Sequence, residues 1–234
     1  MGIDVATYGI FDRIYNVGHF GRHIIMNIAA ILGFVLAVAS SAASASAVCP
    51  PATVDAKYGP FDYTDPDAKA NRLPIVEKGH FKPQVEQLIR GESSDLGSDI
   101  DYVLRSFPNH HRALNSMSLL ALREKTDRPD HSHFTVDCYF QRAIGFVPGD
   151  AIVHLLYGNY LYQVKKEQEA LEQYQQAENL DPENPNILYN AGLLYFGLKQ
   201  YDKALMYAKK AYASGFPLPG LRLKLQKAGQ WKDD

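Results

Sequence analysis

Gly158 and Gly192 stand 34 residues apart, as do Ala170 and Ala204, Ala177 and Ala211, and Pro148 and Pro182. A fixed period of this length means one supersecondary unit used more than once, each copy burying its neighbour's apolar face. Residues 151–184 and 185–218 are two such copies, and each reads as two helices. Asp150 and Asn184 sit as N-caps, with Pro185 at the first helical position, where its missing N–H costs nothing. Gly215 suits a helix end that turns through a left-handed residue. The small residues have a packing role: Gly158 and Gly192 let the first helix approach the second, and Ala170 and Ala204 answer from the second.

The order of large and small residues resembles the tetratricopeptide repeat family. His154, Tyr157, Gly158, Leu161, Ala170, Tyr174, Ala177 and Pro182 meet its pattern in one copy. Leu188, Ala191, Gly192, Tyr195, Ala204, Ala208, Ala211 and Pro217 meet it in the next, the proline displaced by one. The resemblance implies an all-α superhelix of stacked helix pairs. Upstream it weakens but keeps phase: Phe140 and Ala143 fall where Tyr174 and Ala177 do. Pro108 lies 40 before Pro148, an excess of six that fits an insertion at Thr126 to His133. Residues 80–148 are therefore degenerate repeats, with Phe81 to Arg90 and Ser98 to Phe107 as a helix pair. Ser98 and Asp101 look like a capping box. Residues 219–234 supply a final helix that covers the apolar end of the stack.

Residues 1–47 form a different regime, without a single proline. Ile24 to Ala39 is almost continuously apolar and ends in small residues with Ala45-Ser46-Ala47, the arrangement of a secretory signal and its cleavage site. An uncleaved membrane anchor is the alternative, and the only expected contact with a membrane. In an oxidising compartment Cys49 and Cys138 pair. The bridge closes a loop of about 90 residues, worth roughly 4 kcal/mol by chain entropy. The competing reading is a buried Cys138 and a free Cys49. Residues 48–79, rich in Pro and aromatics, read as an ordered extended arm with turns.

Catalytic motifs are absent: no G-x-S-x-G, no phosphate-cradling loop, no H-E-x-x-H or C-x-x-C. The chain is expected to be no enzyme and to need no cofactor. A net charge of -2 argues against sequence-independent nucleic-acid binding, which needs surplus cations. His110-His111 and His131-x-His133 raise an accessory metal-binding role as an alternative, although spacing indicates no full ligand set. Otherwise His110 and His111 merely open a helix, and His131 and His133 decorate an exposed insertion.

The resemblance also implies a site. First helices of such stacks line a concave face, and the lining positions here are Leu155, Asn159, Tyr162, Asn186, Tyr189, Asn190, Leu193 and Phe196, together with Ile152 and Leu156. The lining holds amides and aromatics but no cation. Asn pairs with an extended backbone through donor and acceptor, and Tyr and Phe hold apolar side chains. The expected ligand is a protein or peptide segment. Two rival readings remain: Tyr58 to Tyr63 fills the face from within, or the stack is purely a structural spacer.

Overall fold

The computed structural model describes residues 49–53 and 58–231; the leader expected over 1–47 lies outside them. Among the described residues there are eleven helices and no strand. They are α1 (Pro66–Asn71), α2 (Leu73–His80), α3 (Pro83–Glu86), α4 (Leu96–Ser106), α5 (His111–Glu124) and α6 (Val136–Phe146). The remainder are α7 (Ala151–Gln163), α8 (Glu167–Leu180), α9 (Pro185–Gly197), α10 (Tyr201–Ala213) and α11 (Gly220–Lys227).

The fold is the expected stack of helix pairs. α7 packs on α8 and α9 on α10, with α5 and α6 before them and α11 against α9 and α10. Asp150 accepts from the N–H groups of Ile152 and Val153, and Asn184 from that of Asn186, with Pro185 beside it. Gly215 turns the chain at φ 85°. A Cβ on Gly192 would lie 2.6 Å from Leu221 Cδ2 and 3.3 Å from Tyr207 Cβ. The small residue therefore admits both the second helix and the capping helix.

One core runs from Tyr63 and Val76 through Phe107, Met117, Phe140 and Leu161 to Ile187. A second core gathers Leu188, Tyr189, Leu193 and Tyr195 with Phe216, Leu221 and Leu225. α7 and α9 are apolar on nearly every side because each is covered by its own second helix and by both neighbouring units.

Several expectations need correction. The second half of the 48–79 arm is helical, because Asp65 caps α1 through the Asp67 and Ala68 N–H groups and Pro66 opens it. Only one turn, Pro83–Glu86, forms within Phe81 to Arg90; Leu88 leaves it at φ 56°. The cap of α4 is Asp95, which accepts from the Ser98 N–H, and not Ser98. Asp101 is buried instead of capping, accepting from Arg105 Nε at 2.8 Å, from the His133 N–H, and from the Tyr139 hydroxyl. The His133 ring completes this set at 2.7 Å. The insertion is exposed at His131 and His133, as expected, yet it is tied down: Ser132 is buried, and a Cβ at Gly97 would meet Asp130 O at 1.9 Å.

Candidate functional site

Cys49 and Cys138 form a disulfide with Cα atoms 5.5 Å apart. Thr135 caps α6 through the Cys138 N–H, fixing the helix turn that presents the sulfur. One turn further, Arg142 donates to the carbonyls of Pro50, Pro51 and Ala52 and lies 4.4 Å from the Phe134 ring centroid. Covalent and charge-assisted ties thereby hold Cys49–Ala52 on α6. A shallow cavity of about 320 Å³ lies between Cys49–Thr53 and Gln141–Phe146.

The aromatic part of the arm goes to the α4–α5 turn. Phe61 donates its N–H to Ser106 O at 2.9 Å and stands 5.4 Å from the Phe107 ring. Tyr63 lies 4.4 Å from the His110 ring, and its N–H donates to Asn109 Oδ1. Asn109 Nδ2 then bonds Asp62 and Asp150, joining arm and α7 cap. These contacts lie one unit upstream of the face formed by α7 and α9, where self-occupation was expected. The notion that Tyr58 to Tyr63 fills that face is corrected accordingly: its contacts lie with Ser106, Phe107, Asn109, His110 and His111.

The histidines are divided among separate acidic or amide partners. His80 meets Asp99, His110 meets Glu77, His111 meets Asp150, and His133 meets Asp101. His131 approaches Asp95 at 3.8 Å and His154 meets Gln173. Among the described residues no three His, Cys, Asp or Glu side chains form a group able to hold a metal. His110 caps α5 with Nδ1 while Nε2 faces Glu77, and His111 opens the helix.

Burial holds the His110 imidazole below its ordinary range and outweighs the pull of Glu77. Burial works against the Glu77 carboxylate too, but the His110 hydrogen bond and the Arg112 charge win, leaving it below its ordinary range. Together these keep a neutral imidazole donating to an ionised carboxylate.

On the expected concave face, the eight lining residues divide by access. Leu155, Tyr189, Asn190 and Leu193 are buried. Tyr189 stacks on Phe216 and its hydroxyl accepts from the Leu221 N–H. Asn190 donates to Asn186 O of its own helix at 2.8 Å. Asn159, Tyr162, Asn186 and Phe196 are half-buried and reach solvent. The Tyr162 hydroxyl lies so close to Gly197 that a Cβ there would be 1.9 Å away, so this ring spans from one unit to the next.

Asn159 Oδ1 accepts from the Tyr174 hydroxyl, whose pKa burial raises well above the ordinary value. That leaves the amide NH2 of the half-buried Asn159 available as a donor. Asn186 Oδ1 is buried and has no hydrogen-bond partner among the described residues. Lys165 Nζ stands 5.9 Å from the Tyr162 ring centroid, adding a cation at the rim that the lining positions did not include. Sequence spacing alone had no means of finding the contribution of Phe216 and α11, which convert Tyr189 from lining to core.

Residues 158–199 match the family described as TPR repeat. No curated protein matches the sequence. A solved structure from a functional characterization of Pseudomonas aeruginosa PilF is similar, at 19% identity, a TM-score of 0.49 and 70% coverage of each chain.

Proposed function

We propose that this tetratricopeptide-repeat chain is a non-catalytic interaction module that holds an extended protein segment against the solvent-facing part of α7 and α9. Repeats of this kind mediate protein–protein contact in general; the face and the ligand form are our own reading. The observation that carries it is Asn186 Oδ1, a buried acceptor without a partner among the described residues; the Asn159 amide NH2 is the second polar group of the lining. A buried acceptor left unpaired is costly, and a segment's backbone N–H supplies what it lacks. Tyr162 and Phe196, the half-buried aromatics of the lining, supply apolar surface for the segment's side chains. The buried members of the lining, Leu155, Tyr189, Asn190 and Leu193, set its shape from beneath.

The test is photo-crosslinking from position 196, repeated with Asn159→Ala and Asn186→Ala together. Loss of the captured partner supports the reading. Equal capture by the double variant, with unchanged helicity, acquits this face.

We further propose export, supported by the apolar run Ile24 to Ala39, the Ala45-Ser46-Ala47 signal and the Cys49–Cys138 bridge. No helix of the described residues is long and apolar enough to cross a membrane. N-terminal sequencing and fractionation of the protein made by its host decide: Val48 as first residue supports export with cleavage, and an intact Met1 on a cytosolic protein with reduced Cys49 and Cys138 overturns export.

A further inference from the structure

The second helices of the two regular repeats differ in charge: α8 carries four Glu and no Lys or Arg, and α10 carries three Lys and one Asp. Glu169 and Lys203 are one period apart, as are Glu172 and Met206, and Gln176 and Lys210. All six are exposed. The two helices are neighbours on this face, because the Tyr207 hydroxyl of α10 donates to Glu178 of α8 at 2.6 Å. The segregation continues along the chain. Residues 199–234 hold eight Lys and Arg against three Asp, while residues 1–198 hold 16 Lys and Arg against 23 Asp and Glu. A near-neutral total therefore hides a basic end on an acidic body.

These charges have little to do inside the protomer. Lys203 and Lys210 have no carboxylate partner among the described residues; their ammonium groups stand 5.0 and 5.7 Å from the Tyr195 and Tyr207 ring centroids. Glu169 has only the exposed Lys166, at 3.7 Å. Leu180 and Met206 on the same two helices are 43% and 45% exposed. Uncovered methionine and leucine on helices of opposite net charge make a surface that is complementary to itself.

We infer that this face is the interface of a homodimer, in which α8 of one protomer lies over α10 of its partner. A two-fold axis parallel to both helices and midway between them achieves this. Such an axis sets each residue near its own repeat equivalent, since the two helices are copies of one unit. Glu169 then faces the partner's Lys203, Glu172 the partner's Met206, and Gln176 the partner's Lys210. The contact is isologous, so each favourable pairing occurs twice and the assembly closes at two. Exposed ion pairs are weak and screened by salt, which makes this association salt-sensitive. The interface uses α8 and α10, while the proposed segment-binding residues are on α7 and α9, and it does not depend on that reading.

Light scattering on the purified full chain tests it. The expected result is a doubled mass at low ionic strength that reverts to monomer near 1 M salt, where the screening length falls to about 3 Å. A variant with Lys203→Glu and Lys210→Glu places acid against acid and is monomeric. A second variant with Glu169→Lys and Glu172→Lys places base against base and is also monomeric. Mixed together, the two form a heterodimer, because acidic α8 then meets basic α10 on one side and the reverse on the other. A monomer at low salt in the unaltered chain overturns the proposal. So does a dimer that ignores either substitution pair, or two folded variants that fail to associate when mixed.

Discussion

Tyr189 and Phe216 stack with ring centroids 3.9 Å apart and planes inclined by 17°. Tyr189 is on α9, and Phe216 follows the left-handed Gly215 that ends α10. The Tyr189 hydroxyl also receives the Leu221 N–H at the start of α11. One side chain thus fastens the last repeat, its exit turn and the capping helix. Tyr189→Ala removes the ring and leaves the N–H without its acceptor. We expect a loss of about 3–5 kcal/mol, read as a lower urea midpoint. Tyr189→Phe keeps the stack and costs only about 0.5–1.5 kcal/mol. Equal midpoints for the two variants would mean the stack contributes nothing.

The same residue shows where sequence reading stops. The period places Tyr189 on the inner side of a first helix, and that is where it lies. Whether that side meets solvent depends on Phe216 and Leu221, whose approach follows from the angle at which the chain leaves Gly215. The Asp150 and Asn184 caps were legible because capping is local, acting within three residues. Asp99 and Asp101 were not, since their partners lie elsewhere. Asp99 gathers the N–H groups of Glu92, Ser93 and Ser94 and the His80 ring. Asp101 gathers Tyr139 and His133 from over thirty residues away. Such partners depend on how the 91–94 loop, the insertion and α6 pack around α4, which no periodicity encodes.

Lys165 and Lys199 are repeat equivalents that share one backbone conformation, with φ of 68° and 59°. Each makes the turn from first to second helix, and each pays the steric cost of a Cβ in the left-handed region. Replacement by Gly removes that cost but adds chain entropy to the unfolded state. The expected net gain is about 0.5–1 kcal/mol at each position, and the two gains add because the turns are in separate units. Thermal melts of both single variants and the double variant check this. A destabilised Lys199→Gly would show that its side chain contributes more than its backbone costs.

Acid should weaken the fold in two separable stages. His110 caps α5 by accepting the Ala113 N–H at Nδ1, 3.1 Å away, while Nε2 faces Glu77 at 3.1 Å. A second proton on the ring must go to Nδ1, which destroys the cap inside a fully buried site. The folded pKa lies below the ordinary histidine value. The unfolded chain therefore binds this proton first, and stability declines as pH falls below about 6.5. Asp99 and Asp150 form the second stage. Burial opposes their ionisation, but the His80 bond and loop N–H groups for Asp99 outweigh it, as do the His111 bond and charge for Asp150. Their folded values are depressed, so their contribution is complete above the ordinary carboxylate value and is lost as pH falls below about 4. Urea midpoints measured from neutral pH downward should show both limbs. His110→Asn retains a capping oxygen without a titrating ring. It lowers stability at neutral pH through lost packing, yet it flattens the limb between about pH 6.5 and 4.5 while leaving the lower limb intact. Parallel profiles for the two proteins would assign the upper limb to another group and remove His110 from the account.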